Sequence, residues 1–221
     1  MKKITKILSI LIISILSMSI MSGCGAKVEP PESVAQGFFD MIVYNDTTKI
    51  QSIGISDDEI SPLKDFMKKS IKDGTKNTFK MSGISIEDDD LDKIAEAQLN
   101  AMKKIKATIT TESSDKQTAI VKIKTNYLKL TEVDEKACNE ALTEIQSMGS
   151  TDKKELEKVF VDKYTTKLVE SLTSVEPVDD TVEKSFSFTM KKVDVGGKTI
   201  DMWVPDNPTT LGKDIATMVT Q

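Results

Sequence analysis

The feature that most constrains the fold is a change in the spacing of apolar residues along the chain. Up to about residue 105 the apolar residues recur every three or four positions, which is typical of amphipathic helices. They then alternate with polar residues over 106–130, which predicts strands, and the helical spacing returns until about Ser174. A second alternating stretch and a final helical stretch follow. Because strands and helices come in blocks, we predict an α+β fold and not a doubly wound parallel sheet.

Four strands are predicted, at about residues 106–112, 118–130, 182–194 and 198–204. A polar turn at 113–116 joins the first pair, and Gly196 and Gly197 give the tight turn of the second. The alternation loses phase near Tyr127 and Leu128, so a bulge or the end of the strand is expected there. We predict one four-stranded antiparallel sheet with helices packed on one face, leaving Lys122 and Lys124 on the other. Cystatin-like and nuclear-transport-factor-like domains have a similar helix-first order, an analogy of fold alone.

Helical spacing and end signals predict the remaining elements. Before the first hairpin, helices are expected at 32–45, at 47–53, from Ser56 or Pro62 to Gly74, and after Asp90. The third of these has Ile60, Leu63 and Phe66 on its apolar face. Further helices are expected from Thr131 to Gly149, from Ser150 or Thr151 to about Ser174, and after Asn207 and Pro208. The short connection between the two helices that meet near Gly149 predicts antiparallel neighbours.

The run Asp88, Asp89 and Asp90 has two interpretations. Carboxylates in the first turn of a helix interact favourably with the helix dipole. A calcium loop would instead spread its oxygen ligands over alternate positions around a Gly turn and end in a Glu, whereas here the acids are consecutive and Lys93 follows. The pattern favours a helix start, and no metal-binding residue is predicted.

The first 23 residues have the three parts of a secretory signal. Lys2, Lys3 and Lys6 are followed by 15 uncharged residues, 7–21, and then by small residues directly before Cys24. An apolar run of this length is short for a membrane span, which needs about 20 residues. An uncleaved anchor and a signal that is cut elsewhere remain alternatives.

The run Met21, Ser22, Gly23 and Cys24 resembles the lipobox of bacterial lipoproteins, although Met21 stands where Leu is usual. The opening of the mature chain, 32–60, resembles small lipoproteins of low-GC Gram-positive bacteria that carry an uncharacterised α+β domain. The resemblance implies a signal peptide at 1–23, a lipidated tether at 24–31 and a single domain at 32–221. It also implies a diacylglycerol on Cys24 that holds the protein on the outer face of the cell membrane. It implies no activity and no functional residue.

Composition narrows the possible functions further. After removal of residues 1–23 the chain has 27 Lys against 35 Asp and Glu, a net charge of −8, so nucleic acid is not expected as a partner. The chain has no Arg and no His, which removes bidentate phosphate clamps and imidazole bases. With Cys24 lipidated, Cys138 has no disulfide partner, and its helical position favours a core thiol over a catalytic one. We predict no catalytic residue and no cofactor.

These observations favour a non-enzymatic domain that binds a protein or peptide of the cell envelope. The residues expected at its binding face are Trp203, on the last strand, and Tyr127. A lone Trp is more often a core residue, and that alternative stays open. There are two other candidates: a structural surface protein without a dedicated ligand, and a hydrolase that uses paired carboxylates.

Overall fold

The structure is a computed structural model that describes residues 28–53, 57–149, 151–195 and 198–221, without the side chains of 57–66, 195 and 198. In chain order the elements are α1 (Pro31–Phe39) with a π-helical turn (Asp40–Tyr44), α2 (Thr48–Ser52), α3 (Asp57–Met81), α4 (Asp88–Met102), β1 (Ala107–Ser114), β2 (Thr118–Thr125), α5 (Leu130–Gln146), α6 (Lys153–Ser174), β3 (Val182–Val195), β4 (Lys198–Pro205) and α7 (Pro208–Val219). The predicted α+β class is confirmed.

The four strands form one antiparallel sheet, as predicted, and their order in it is β1-β2-β3-β4. The strand predicted at 118–130 was too long, because β2 ends at Thr125. The chain then leaves the ladder, and Leu128 forms a parallel bridge with Thr220, the residue that follows α7 in the sequence. The irregularity of the first hairpin is a bulge in β1, between Thr111 and Ser113.

One face of the sheet carries the core. Val121 and Ile123 of β2 and Phe188 of β3 have no exposed surface. The helix α1 lies along this face beside β1, where the Thr111 hydroxyl donates a hydrogen bond to the Glu32 carboxylate. At the other end of the same helical segment, the Tyr44 hydroxyl donates to the Ile105 carbonyl oxygen at 2.9 Å. The helical segment therefore runs antiparallel to β1.

The opposite face of the sheet is exposed over its first three strands. Thr108, Thr110, Lys124, Ser185 and Ser187 all lie on it and are exposed. We call this surface the open face. It confirms Lys124 as a residue outside the core, while Lys122 is half-buried among acidic neighbours.

The prediction that Trp203 lies on an exposed face is wrong. The register pairs Trp203 with Met190, which places the indole on the same face as Phe188, and it is only 5% exposed. Its neighbours Met202 and Val204 point to the other side of β4 and are also buried, at 5% and 2% exposed. Around these three residues β4 is therefore buried on both sides.

Gly74 does not end the third helix, contrary to the prediction. The helix continues to Met81, because Phe79 packs edge-on against the ring of Tyr164 at 5.3 Å between ring centroids. This packing outweighs the helix cost of one Gly, about 1 kcal/mol. Gly83, two residues after the end of the helix, has a φ of +73° and turns the chain, and the Ile84 N–H donates to the Phe79 carbonyl at 3.1 Å.

The helices α5 and α6 form the predicted antiparallel hairpin. They meet through small side chains, since Ala137 and Ala141 of α5 have no exposed surface. The cap of α6 is Asp152, whose carboxylate accepts hydrogen bonds from two backbone N–H groups, rather than Ser150 or Thr151. Ser150 lies outside the described residues.

Several end signals in the sequence are confirmed. Asp88, Asp89 and Asp90 occupy the first turn of α4. The Asn207 side chain accepts a hydrogen bond from the Thr210 N–H at 2.9 Å and so caps α7. The glycines of the predicted 196–197 turn and the side chains of Ile60, Leu63 and Phe66 lie outside the described residues.

Candidate functional site

The domain begins beside the bulge of β1. The N–H of Ser33 donates to the Pro30 carbonyl at 2.9 Å, which starts the first helical turn, and Glu32 is held by Thr111. Cys24, the predicted lipidation site, lies outside the described residues. The chain that would carry a lipid anchor therefore joins the fold at Pro30 and Pro31, next to this part of β1.

The position of this junction along the sheet follows from two lengths. From Pro31 to Tyr44 the helical segment is about 20 Å long at 1.5 Å per residue. From Ile105 to Thr111 the extended chain also covers about 20 Å at 3.3 Å per residue. The segment therefore spans the same length, and its start lies towards the end of the sheet that carries the β1–β2 turn. We call this end, which holds Pro30 and that turn, the tethered end.

The open face has a central ion-pair network. The Lys122 ammonium lies 2.7 Å from the Glu112 carboxylate and 4.0 Å from that of Glu183, and the Ser185 hydroxyl donates to Glu112 at 2.6 Å. Hydrogen bonds from Lys122 and Ser185 lower the pKa of Glu112, and the bond with Glu112 raises the pKa of Lys122. Glu112 and Lys122 therefore stay charged at neutral pH and pair with each other, as expected of a solvated surface.

The outer edge of β1 offers unpaired backbone groups. The Asn126 N–H donates to the Lys106 carbonyl at 3.2 Å, which fixes the phase of the ladder with β2. Because backbone groups alternate in direction along a strand, those of Ala107, Ile109 and Thr111 point away from β2. Within the described part of the chain, no backbone hydrogen bond joins these three residues to another element. They form a short edge that an added strand could pair with.

The structure does not bring the predicted binding residues together. Trp203 is buried at the tethered end, on the level of Gln117, because its partner Met190 donates its N–H to the Gln117 carbonyl. Tyr127 lies beyond the other end of β2, half-buried, and its carbonyl accepts from the Val178 N–H at 3.0 Å. The eight residues of β2 separate the two by roughly 27 Å. They cannot form one aromatic platform.

A polar cluster that the sequence did not reveal lies between α5 and α6. The buried Tyr164 hydroxyl donates a hydrogen bond to the Asp134 carboxylate. Burial, and then this bond, raises the pKa of Tyr164. Burial also raises the pKa of the nearby Cys138 thiol, which therefore stays protonated and is a poor nucleophile. Helical spacing marked Tyr164 only as an apolar position, since nothing in it indicates an interhelical partner.

The acidic run at the start of α4 has lysine neighbours. Lys93 lies 2.9 Å from Asp90, and Lys76 lies 3.5 Å from Asp88. Across the described ranges, no group of three or more acidic or Cys residues is placed to hold a metal ion. No helix in the same ranges is both long and apolar enough to cross a membrane.

Comparison with known proteins gives two matches. A model of the DUF5105 family, a domain of unknown function, matches residues 21–206. Among solved structures, the chain is similar to that of YcdA from Bacillus subtilis, a protein provisionally described as a lipoprotein, with a TM-score of 0.58 and 18% identity. That match covers 86% of this chain and 57% of YcdA, so the chain spans little more than half of its neighbour. At this identity the similarity shows the fold alone. No curated protein matches significantly.

Proposed function

The chain belongs to the DUF5105 family, and we propose that it is a lipid-anchored envelope protein whose domain binds an extended protein segment along the outer edge of β1. Its place is the outer face of the cell membrane, where a diacylglycerol on Cys24 holds it. Its role is binding and not catalysis. The single observation that carries the binding proposal is the unpaired backbone of Ala107, Ile109 and Thr111.

The anchoring proposal is supported by the sequence before the fold. Residues 21–24 resemble a lipobox, and the family match begins at the same point, residue 21. The similar structure, YcdA, is itself provisionally described as a lipoprotein. Two acyl chains would make the attachment stable, since a single chain gives only marginal membrane binding.

Strand addition suits this edge for two reasons. It uses main-chain hydrogen bonds for affinity, so it does not need the aromatic platform that the burial of Trp203 rules out. An added strand would also extend the open face, since Thr108 and Thr110 are exposed beside the edge. The bulge after Thr111 limits the usable edge to about five residues, which favours a short segment as the partner.

A proline at Ile109 tests the edge without breaking the sheet. The Ile109 N–H points away from β2, so Ile109→Pro removes an outward donor and leaves the β1–β2 ladder intact. A photo-crosslinking amino acid at Thr108 would report partners in intact membranes. We expect specific adducts in the parent protein and at least a tenfold loss of them in Ile109→Pro.

The matched control is Ile109→Ala, which loses the same half-buried side chain but keeps the N–H. Its adducts should persist, and its melting temperature should be close to that of Ile109→Pro. Equal adducts from both variants would refute strand addition at β1.

A structural surface protein without a ligand is the second candidate, and one observation favours it. The large apolar side chains exposed in the described part of the chain are Val28, Met81, Leu142 and Met148, and they belong to separate elements or loops. Scattered exposure of this kind is normal for a surface that binds nothing. Absence of any specific adduct at Thr108 would favour this candidate.

A further inference from the structure

The hairpin of β3 and β4 extends beyond the rest of the sheet. β2 pairs with β3 only as far as Thr189, and the last bond across this pair joins the Met190 N–H to the Gln117 carbonyl at 2.8 Å. The residues beyond it on β3 pair with β4 alone, from Lys191 opposite Met202 to Val195 opposite Lys198. We call the paired residues 191–195 and 198–202 the arm. Its five cross-strand residue pairs extend about 17 Å past the β1–β2 turn.

The arm lies at the tethered end. Glu32 is held by Thr111, Thr111 is level with Val121, and Val121 is level with Phe186. From that level to Val195 the strand runs for nine residues, about 30 Å. The tether has only six residues, 25–30, between Cys24 and Pro31, and its seven Cα–Cα steps reach at most about 25 Å when fully extended. When the tethered end faces the bilayer, a domain lipidated at Cys24 therefore cannot stand far enough from the membrane for the arm to clear it.

The two faces of the arm differ in charge. Alternation and register place Lys191, Val193 and Ile200 on the side continuous with the open face. Lys191 is exposed, while Val193 and Ile200, which lie directly opposite each other, are half-buried. Both acids of the arm, Asp194 and Asp201, lie on the other side, where Lys192 stands opposite Asp201, so that side has a net charge of −1. We call the first side the arm face.

We propose that the arm face rests on the anionic lipid headgroups beside the anchor. A lysine next to apolar side chains suits the boundary between headgroups and acyl chains, where the ammonium meets phosphate and the apolar groups leave water. Attraction to anionic lipid contributes about fivefold in binding for each lysine near the surface. The rest of the domain is strongly acidic and would be repelled, so this contact sets the orientation of the tethered domain. The inference rests on the proposed lipidation of Cys24.

The test uses the full lipidated protein in vesicles of phosphatidylcholine with phosphatidylglycerol that also contain a headgroup-level spin-labelled lipid. A fluorophore is attached at Val193→Cys in a Cys138→Ala background, since Cys24 is blocked by its own thioether. The matched control is Thr108→Cys, on the open face about 33 Å away along the strands. We expect quenching at position 193 to exceed that at 108 at least fivefold. Lys191→Glu, which removes a positive charge and adds a negative one, should reduce it at least fivefold, whereas Lys124→Glu should not.

Pure phosphatidylcholine vesicles should also abolish the excess quenching at 193. Equal quenching at 193 and 108, or quenching at 193 that is unchanged by Lys191→Glu, would overturn the arm contact. Flotation of the same samples separates the two proposals. Protein that floats with the vesicles without quenching at 193 contradicts only the arm contact, whereas protein that fails to float contradicts the anchoring itself.

Discussion

The helix α1 and the helix α5 are stabilised in different ways. In nine residues, α1 buries Gly37 and five side chains in the core, among them Phe38 and Phe39. In 17 residues, α5 buries only Ala137 and Ala141. Because hydrophobic stabilisation follows the apolar area that is buried, α1 contributes more of it per residue than α5 does.

The hairpin of α5 and α6 depends more on polar contacts. Tyr164 donates to Asp134, and Glu144 lies 2.6 Å from Lys163 and 3.4 Å from Lys167. Such contacts stabilise less than buried apolar area does, so parts of the molecule that depend on them open at lower free energy. We infer a stable sheet with α1 and a helical hairpin that opens more easily.

Truncation of Phe39 should have the largest effect. Phe39 has no exposed surface, so Phe39→Ala leaves a cavity beneath the sheet and should lower the free energy of unfolding by about 3–5 kcal/mol. Denaturant titration measures it. The control is Leu142→Ala on α5, where the exposed side chain predicts a change within about 0.5 kcal/mol. Similar losses from the two variants would remove the contrast between the two helices.

Overpacking between α5 and α6 should have an intermediate effect. Ala141 has no exposed surface where the helices meet, so Ala141→Leu should cost about 1–3 kcal/mol. Hydrogen exchange should show faster exchange of α5 amides while those of β2 stay protected. The exposed position Gln146→Leu is the control and should leave exchange unchanged. Equal acceleration in β2 would show that the hairpin does not open on its own.

Tyr164→Phe should have a smaller effect, with a signature in pH. Loss of the hydroxyl should cost about 1 kcal/mol at neutral pH. Because burial raises the pKa of Tyr164 above its unfolded value of about 10, its contribution is complete below pH 10 and is lost as the pH rises further. Unfolding between pH 8 and 11.5 should therefore show a shallower loss of stability in Tyr164→Phe than in the parent. Parallel curves would contradict the assignment.

Removal of the Glu144 carboxylate should have the smallest effect. Hydrogen bonds from Lys163 and Lys167 lower the pKa of Glu144, but all three side chains are partly exposed. Glu144→Gln should therefore destabilise less than Tyr164→Phe, and the difference from the parent should shrink in 1 M salt, where screening acts within about 3 Å. A difference that persists in high salt would point to a packing role.

The sequence predicted the element order because apolar spacing and end signals are local properties. Asn207 caps its helix and the strands at 182–194 and 198–204 agree closely with β3 and β4. The burial of Trp203 was not predictable, since Met202, Trp203 and Val204 are three consecutive apolar residues and only pairing with β3 decides their faces. The prediction that Gly74 ends its helix was wrong for a related reason, because Phe79 packs against Tyr164, which is distant in sequence, and this contact keeps the helix intact.

The candidate sites also differ in whether local sequence alone could predict them. Lipidation of Cys24 is proposed from local sequence alone, since a signal peptide and its lipobox are recognised in the unfolded chain. The edge of β1 and the arm depend on which strands are outermost and how far each pair extends. Two hairpins of the same sequence pattern could also have paired in another order, so no local signal marks Ile109 or Lys191.

The central claim is that Cys24 carries the anchor, and substitution of that residue tests it most directly. Cells that produce the parent protein or Cys24→Ala are fractionated, and the membrane is washed with high salt and alkali to release peripheral proteins. We expect the parent to stay with the membrane and to lose its signal peptide, and Cys24→Ala to keep an uncleaved signal or to leave the membrane. A Cys24→Ala protein that is processed normally and retained as strongly as the parent would contradict lipid anchoring at Cys24.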